Sequence, residues 1–282
     1  MVETIRHIRQ QVARALKNHQ VSAARQEAQW LLEKVTGQNG TWLLLHQNDP
    51  LTDAQRTRLG ELVVRRCQGE PLQYLLGFWE FYGRDFAVGP GVLIPRPETE
   101  LLCSLAISQF AQRVGCAVDL CAGSGCIALT LKTHCPGLTV CAVEYSRAAL
   151  KYLEKNVQLF GLEIPIIQGD VCQRSTADSF DRLDLIVSNP PYLTADEITS
   201  LQREVRFEPP MALDGGEDGL DFYRRMLPLW LPKLNPDGMI AFEVGDNQAQ
   251  AVQALLAEFG CSQIASCKDE NQIERVVYAI KR

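Results

Sequence analysis

At 282 residues the chain is long enough for a full α/β domain and a smaller partner. Its 46% hydrophobic and 22% charged residues are ordinary for a globular protein, and a net charge of −6 without a basic run argues against a broad phosphate-binding surface. No apolar run approaches the ~20 residues of a membrane helix, and residues 1–20 lack the apolar core of a signal peptide, so a cytoplasmic protein with no membrane partner is expected. Residues 1–76 read as helices only. Ile5, Ile8, Val12 and Leu16 recur at helical spacing, and Ala24, Ala28, Leu31, Leu32 and Val35 follow until Gly37. A short helix near 42–46 precedes a longer one that Thr52 and Asp53 cap, carrying Leu59, Leu62, Val63 and Arg66. This bundle holds no catalytic signature, which makes it a packing or docking module.

Residues 78–88 read as a β-hairpin turning at Gly83. The Pro- and Gly-rich stretch 89–100 is an ordered loop whose end opens a helix with acidic residues in its first turn. Arg96, between Pro95 and Pro97, fits either a linker or a rigid arm folded over a pocket. Beyond about residue 99, strands (117–120, 138–143, 164–168, 183–187, 239–244) alternate with helices (127–133, 146–160, near 220–230, 248–259) and two strands, 262–266 and 275–280, close the chain. Alternation of this kind predicts a mostly parallel, doubly wound, Rossmann-like α/β sheet, with ligands at the carboxyl ends of its strands. The expected division is a helical bundle (1–76), a hairpin and proline-rich loop (77–98), and an α/β domain (99–282).

Ten cysteines raise the question of a metal, but none has Cys-x-x-Cys spacing and the four histidines are scattered. Several of the cysteines sit in apolar runs, so buried, reduced thiols and no metal are expected.

Two motifs carry the chemistry. Asp119-Leu120-Cys121-Ala122-Gly123-Ser124-Gly125 joins a strand to a helix, where Gly123 and Gly125 permit a ligand to approach the backbone. Glu144 ends the next strand, suited to ribose hydroxyls. Asp170 ends the third, placed to accept from an adenine amino group with Val171 against the ring. A dinucleotide would call for Gly-x-Gly-x-x-Gly, and the third glycine is missing; the looser pattern suits S-adenosylmethionine. The second motif, Asn189-Pro190-Pro191-Tyr192, ends the strand 183–187. As a plain turn it is unremarkable. Its chemistry nevertheless fits a planar NH2 group: Asn189 has a side-chain acceptor, the prolines have carbonyls without N–H donors, and Tyr192 offers a flat wall.

With Asp119 to Gly125, Glu144 and Asn189-Pro190-Pro191-Tyr192, the chain resembles class I S-adenosylmethionine-dependent methyltransferases that modify planar nitrogens. Glu70-Pro71-Leu72-Gln73-Tyr74, Ile94-Pro95-Arg96-Pro97-Glu98-Thr99-Glu100, the run from Ala212 to Leu220 and Phe242-Glu243-Val244-Gly245 narrow this. They are similar to the peptide chain release factor glutamine N5-methyltransferase family. The resemblance implies methyl transfer from S-adenosylmethionine, leaving S-adenosylhomocysteine, to the Gly-Gly-Gln glutamine of class I release factors. It implies no nucleic-acid substrate and no metal. The implied catalytic residues are Asn189, Pro190 and Tyr192, with Pro191 and Arg96 beside the substrate. Asp119, Cys121, Ala122, Gly123, Ser124, Gly125, Glu144, Asp170, Val171 and Asn189 would hold the cofactor. The other readings are a glutamine of a ribosomal protein, a nucleic-acid base, or a non-catalytic cofactor-binding protein. Cys121 stands where the family usually has Gly, and Glu144 where Asp is commoner.

Overall fold

Apolar side chains three and four residues apart build the N-terminal helices. A computed structural model describes residues 3–282, so residues 1 and 2 of the expected bundle lie outside the described residues. Helix α1 (Ile5–Asn18) buries Ile5, Ile8, Val12 and Leu16, and Thr4 caps it by accepting from the His7 amide. Helix α2 (Ala24–Thr36) stops at Gly37, whose φ of 68° is left-handed. After α3 (Gly40–Leu45), a reciprocal Thr52–Gln55 capping box starts α4 (Asp53–Cys67), and α5 (Leu72–Leu76) completes the series.

Arg66 shares α4's buried side with Leu59 and Leu62, yet it is charged. Its guanidinium grips Glu27 through two bonds of 2.6 and 3.1 Å and reaches Glu204 at 3.0 Å. Glu204 belongs to Gln202–Phe207, which folds with the helices although it lies far along the chain. The molecule therefore consists of two units: residues up to Phe78 with Gln202–Phe207, and Trp79–Leu201 with Glu208–Arg282.

The larger unit begins with the hairpin β1 (Phe78–Phe81) and β2 (Arg84–Ala87). Tyr82 and Gly83 both have positive φ, 52° and 73°, so they form the two-residue turn that matches strand twist. Tyr82 thus leaves the strand for the turn. Next come α6 (Thr99–Phe110), β3 (Gly115–Leu120), α7 (Cys126–His134), β4 (Leu138–Glu144), α8 (Arg147–Phe160), β5 (Ile166–Gln168), α9 (Arg174–Ala177) and β6 (Leu183–Ser188). Then follow α10 (Ala195–Ser200), α11 (Asp221–Trp230), β7 (Leu234–Glu243), α12 (Ala249–Glu258), β8 (Ser262–Lys268) and β9 (Glu274–Ile280). Strand β5 starts two residues later than the apolar run suggests; Pro165 has no amide to give the ladder, although its carbonyl accepts from Ala142. The short helices α9 and α10 carry too little apolar repeat to be read from sequence.

The seven strands run in the order β5-β4-β3-β6-β7-β9-β8, and only β9 is antiparallel to its neighbours. This is the mostly parallel, doubly wound sheet expected. Strand β6 sends Leu185 and Val187 into one hydrophobic cluster and Ile186 into the other, as a strand covered on both faces must. Strands β3 and β6 are parallel neighbours, but the strand order reverses between them, since β4 and β5 are added on one side and β7 on the other, so a crevice opens above their carboxyl ends. Among the described residues no helix is long and apolar enough to cross a membrane, and no group of three His, Cys, Asp or Glu is placed to hold a metal.

Candidate active site

Above that crevice lies a cavity of about 390 Å³, lined wholly by the larger unit. Its floor is the β3–α7 loop. Cys121, Ala122, Gly123 and Ser124 line it, as do Glu144, Asp170, Val171, Asn189, Pro191 and Arg96. Asp119, Gly125, Pro190 and Tyr192 lie outside its lining and support those that form it.

Asp119 is fully buried beneath the loop. One carboxylate oxygen accepts from the Ala128 amide at 3.0 Å, tying β3 to the first turn of α7, and the other has no partner. Burial pushes this carboxyl up to about 8, the Ala128 amide pulls the other way, and Glu144 adds to the rise. Glu144 holds the loop from the opposite side. Its two oxygens accept from the amides of Gly123 and Ser146, both at 2.7 Å. Burial raises its pKa while those amides oppose the rise. Each oxygen keeps a lone pair for a further donor. A Cβ on Gly123 would meet no atom within 4 Å, so the loop's backbone faces open cavity there. Asn156, fully buried, clamps the other end of the loop by donating to the Ser124 carbonyl at 2.9 Å while bonding both backbone groups of Ala87.

Cys121 adopts φ 64°, a left-handed conformation that costs an L-residue roughly 1–2 kcal/mol. Cys121→Gly removes that strain, whereas Cys121→Ala keeps it and loses the thiol's packing. The glycine variant should therefore be the more stable of the two by about 1 kcal/mol in urea titration, the reverse of the order in an unstrained loop. An alanine variant at least as stable as the glycine one would show that Cys121 is unstrained.

Beyond the end of β5, Asp170 turns back on its own loop, accepting from the Cys172 amide at 2.8 Å, and Trp230 donates to the Val171 carbonyl at 2.8 Å. At the opposite end Arg96 pairs with the buried carboxylate of Glu208 at 2.5 Å, whose other oxygen accepts from the Ile94 amide. The proline-flanked arm is thus pinned at two points.

Asn189 follows β6 directly. Its side-chain amide donates to Thr99 at 3.2 Å, and Thr99 donates to Glu243 at 2.5 Å. Tyr192 donates to the other oxygen of Glu243 at 3.3 Å. Gly215, Gly219 and Gly245, from the run 212–220 and from Phe242-Glu243-Val244-Gly245, leave room for Tyr192. A Cβ at Gly215 would stand 2.6 Å from the Tyr192 Cα, and one at Gly245 would stand 3.0 Å from its ring. Gln248 also donates to the Tyr192 carbonyl at 2.8 Å.

A family profile described as the PrmC N-terminal domain matches residues 7–77, and one described as the methyltransferase small domain matches 98–214. A Geobacter sulfurreducens protein named release factor glutamine methyltransferase is 38% identical over 275 residues, covering 97% of this chain and 95% of its own. A Bordetella pertussis protein of the same name is 41% identical, covering 89% and 93%. The chain belongs to the release factor glutamine methyltransferase family. Solved structures add likeness of fold alone. A methyltransferase from Pyrococcus furiosus superposes with TM-score 0.55 at 16% identity, covering 82% of this chain and 99% of that one. The Thermus thermophilus 16S rRNA N2 G1207 methyltransferase, in complex with AdoMet and guanosine, gives TM-score 0.51 at 19% identity, covering 73% and 50%.

For a release factor glutamine methyltransferase family member, several residues around the cavity escape sequence reasoning. Thr99 and Glu243 stand inside motifs that were legible, but nothing local assigns them partners. Glu208, Asn156, and the lining residues Phe222 and Met211 fall in stretches without a motif.

Proposed function

We propose that this enzyme transfers a methyl group from S-adenosylmethionine to the side-chain amide nitrogen, N5, of the glutamine in the Gly-Gly-Gln motif of class I peptide chain release factors. The observation that carries the reading is the meeting, in one cavity, of a glycine loop flanked by acidic strand ends with Asn189 and Pro191 of the Asn-Pro-Pro-Tyr turn. The cavity fits the cofactor: backbone is bare at Gly123, and Glu144 retains acceptor capacity. Cys121, Ala122, Gly123, Ser124, Glu144, Asp170 and Val171 would hold it, with Asp119 and Gly125 shaping the loop from below.

When bound, S-adenosylmethionine would supply an electrophilic sulfonium methyl and leave as S-adenosylhomocysteine, while the methylated nitrogen gives up one proton to solvent. The protein's task is the nucleophile. An amide nitrogen is weak because its lone pair is delocalised into the carbonyl. The Asn189 side-chain oxygen and the Pro190 carbonyl accept the two N–H groups and stabilise positive charge growing on nitrogen. Pro191, which lines the cavity, holds the amide plane with Tyr192 packed behind it, and fixing the nitrogen in line contributes a proximity effect. The helical unit is assigned to docking, since a glutamine on a loop offers far less than the ~1,200–2,000 Å² of a stable protein interface. A release factor substrate also implies a cytoplasmic enzyme with no nucleic-acid or membrane partner.

Mass spectrometry of a class I release factor incubated with the enzyme and S-adenosylmethionine tests the proposal. One added methyl on the Gly-Gly-Gln glutamine is expected. Methylation only of a ribosomal protein, or only of DNA or rRNA, would overturn it.

A further inference from the structure

Both polar side chains of the catalytic turn end on one carboxylate. Strand β6 is paired with β7 in a register that sets Ser188 opposite Phe242, so Asn189 and Glu243 come next on adjacent strands. Glu243 is 1% exposed, and Thr99, at the first turn of α6, is 2% exposed. Water therefore does not compete for their hydrogen bonds.

A threonine hydroxyl has one proton to give and two lone pairs. Thr99 Oγ1 and Glu243 Oε2 share a short hydrogen bond of 2.5 Å, and while Glu243 is ionised it has no proton to give, so the hydroxyl is the donor. With its proton committed there, Thr99 can only accept from Asn189. An amide's orientation follows from its partners, so Asn189 must turn its NH2 to Thr99, as the 3.2 Å contact has it. Its oxygen is then left for the cavity.

We propose that Thr99 and Glu243 are positioning residues which, through a one-way chain of hydrogen bonds, lock Asn189 with its oxygen toward the substrate amide. This rests on the reading of Asn189 as an amide acceptor and names what enforces it. Were Glu243 protonated, it would donate to Thr99, the Thr99 proton would be released toward Asn189, and the amide would rotate. Asn189 would then face a substrate NH2 with its own NH2, donor against donor. Tyr192 would lose its charged acceptor in the same event.

The surroundings bear on when that happens. Burial pushes Glu243 up to about 7, the bonds from Thr99 and Tyr192 hold it down, and of the charged neighbours Glu98 raises it while Arg275 lowers it. Cys103, Cys126 and Tyr223 also face it, and burial lifts all three well above neutrality, so they stay uncharged. The raised carboxyl takes up its proton as pH falls through about 7, and the lock opens on that side.

The test uses the whole enzyme, a release factor and three variants. Thr99→Val keeps shape and removes the relay, and kcat should fall roughly 10-fold or more. Cofactor affinity by calorimetry and KM for the release factor should stay near wild type, while the melting temperature drops because the buried Glu243 loses a donor. Thr99→Ser restores the hydroxyl and should recover most of kcat. The wild-type kcat should decline on the acid side of about pH 7, and Glu243→Gln, which accepts from Thr99 without titrating, should lose that decline. A Thr99→Val enzyme as fast as wild type, no recovery in Thr99→Ser, or an acid limb retained by Glu243→Gln would overturn the proposal. A wild-type enzyme inert toward the release factor would instead overturn the functional reading, and the relay with it.

Discussion

Replacing Asn189 with alanine should lower kcat for release factor methylation by roughly 10²-fold or more, the loss seen when one preorganised partner of a developing charge is removed. The effect belongs to kcat because an acceptor for growing positive charge on nitrogen is worth most in the transition state. Stability should change little. Asn189 is only partly buried and contributes one neutral hydrogen bond to Thr99, worth about 1 kcal/mol. Cofactor affinity should fall far less than kcat, since Asn189 is only one of the residues assigned to the cofactor and the glycine loop and strand-end carboxylates are untouched. Single-turnover methylation, calorimetry and thermal unfolding of one preparation separate the three quantities. Equal losses in activity and melting temperature would make Asn189 a structural turn residue.

The second large effect is on folding. Arg66→Ala should destabilise the helical unit by about 3–5 kcal/mol, because it strands Glu27 as a buried, uncompensated charge. The side chains of the pair are only 6% and 9% exposed. Burial opposes the Arg66 charge, but the bonds and charges of Glu27 and Glu204 outweigh it and raise its pKa. Removing both ends, as in Arg66→Met with Glu27→Leu, should recover most of the loss, since no charge is then left in an apolar site. Urea unfolding of the whole enzyme is the measurement. A loss under about 1 kcal/mol would mean that water reaches the pair, as at a surface ion pair.

These two residues also mark the limits of what the sequence discloses. The parallel strands were legible because Val, Ile and Leu run together where both faces are covered, and the helices because apolar residues recur three and four apart. The glycine loop and the Asn-Pro-Pro-Tyr turn were legible because their residue types suit few jobs. Arg66 was seen on the apolar stripe of its helix, but its partner Glu27 lies 39 residues away. Thr99 and Glu243 are 144 residues apart and meet only where the start of α6 packs against the end of β7. Such partnerships leave no local pattern, so periodicity and spacing do not find them. Tyr192 shows the same gap differently. It was expected as a wall of the pocket, and it stands behind the lining, where three glycines from later segments make room for it.

One consequence of the chain's path concerns how the protein can be taken apart. The smaller unit is assembled from two stretches, and Gln202–Phe207 returns to it long after the first has ended at Phe78. A single cut therefore cannot sever the molecule into self-sufficient halves. A fragment ending at Phe78 would keep Arg66 and Glu27 but forfeit Glu204, and the remainder would carry an orphaned strip bearing Arg203 and Glu204. The same strip lies between Tyr192 and Glu208 in the sequence, so the Asn-Pro-Pro-Tyr turn and the anchor of Arg96 are stitched to the helical unit by covalent chain on either side. Evolution cannot exchange the helical unit for another by one crossover without also rewriting that stitch.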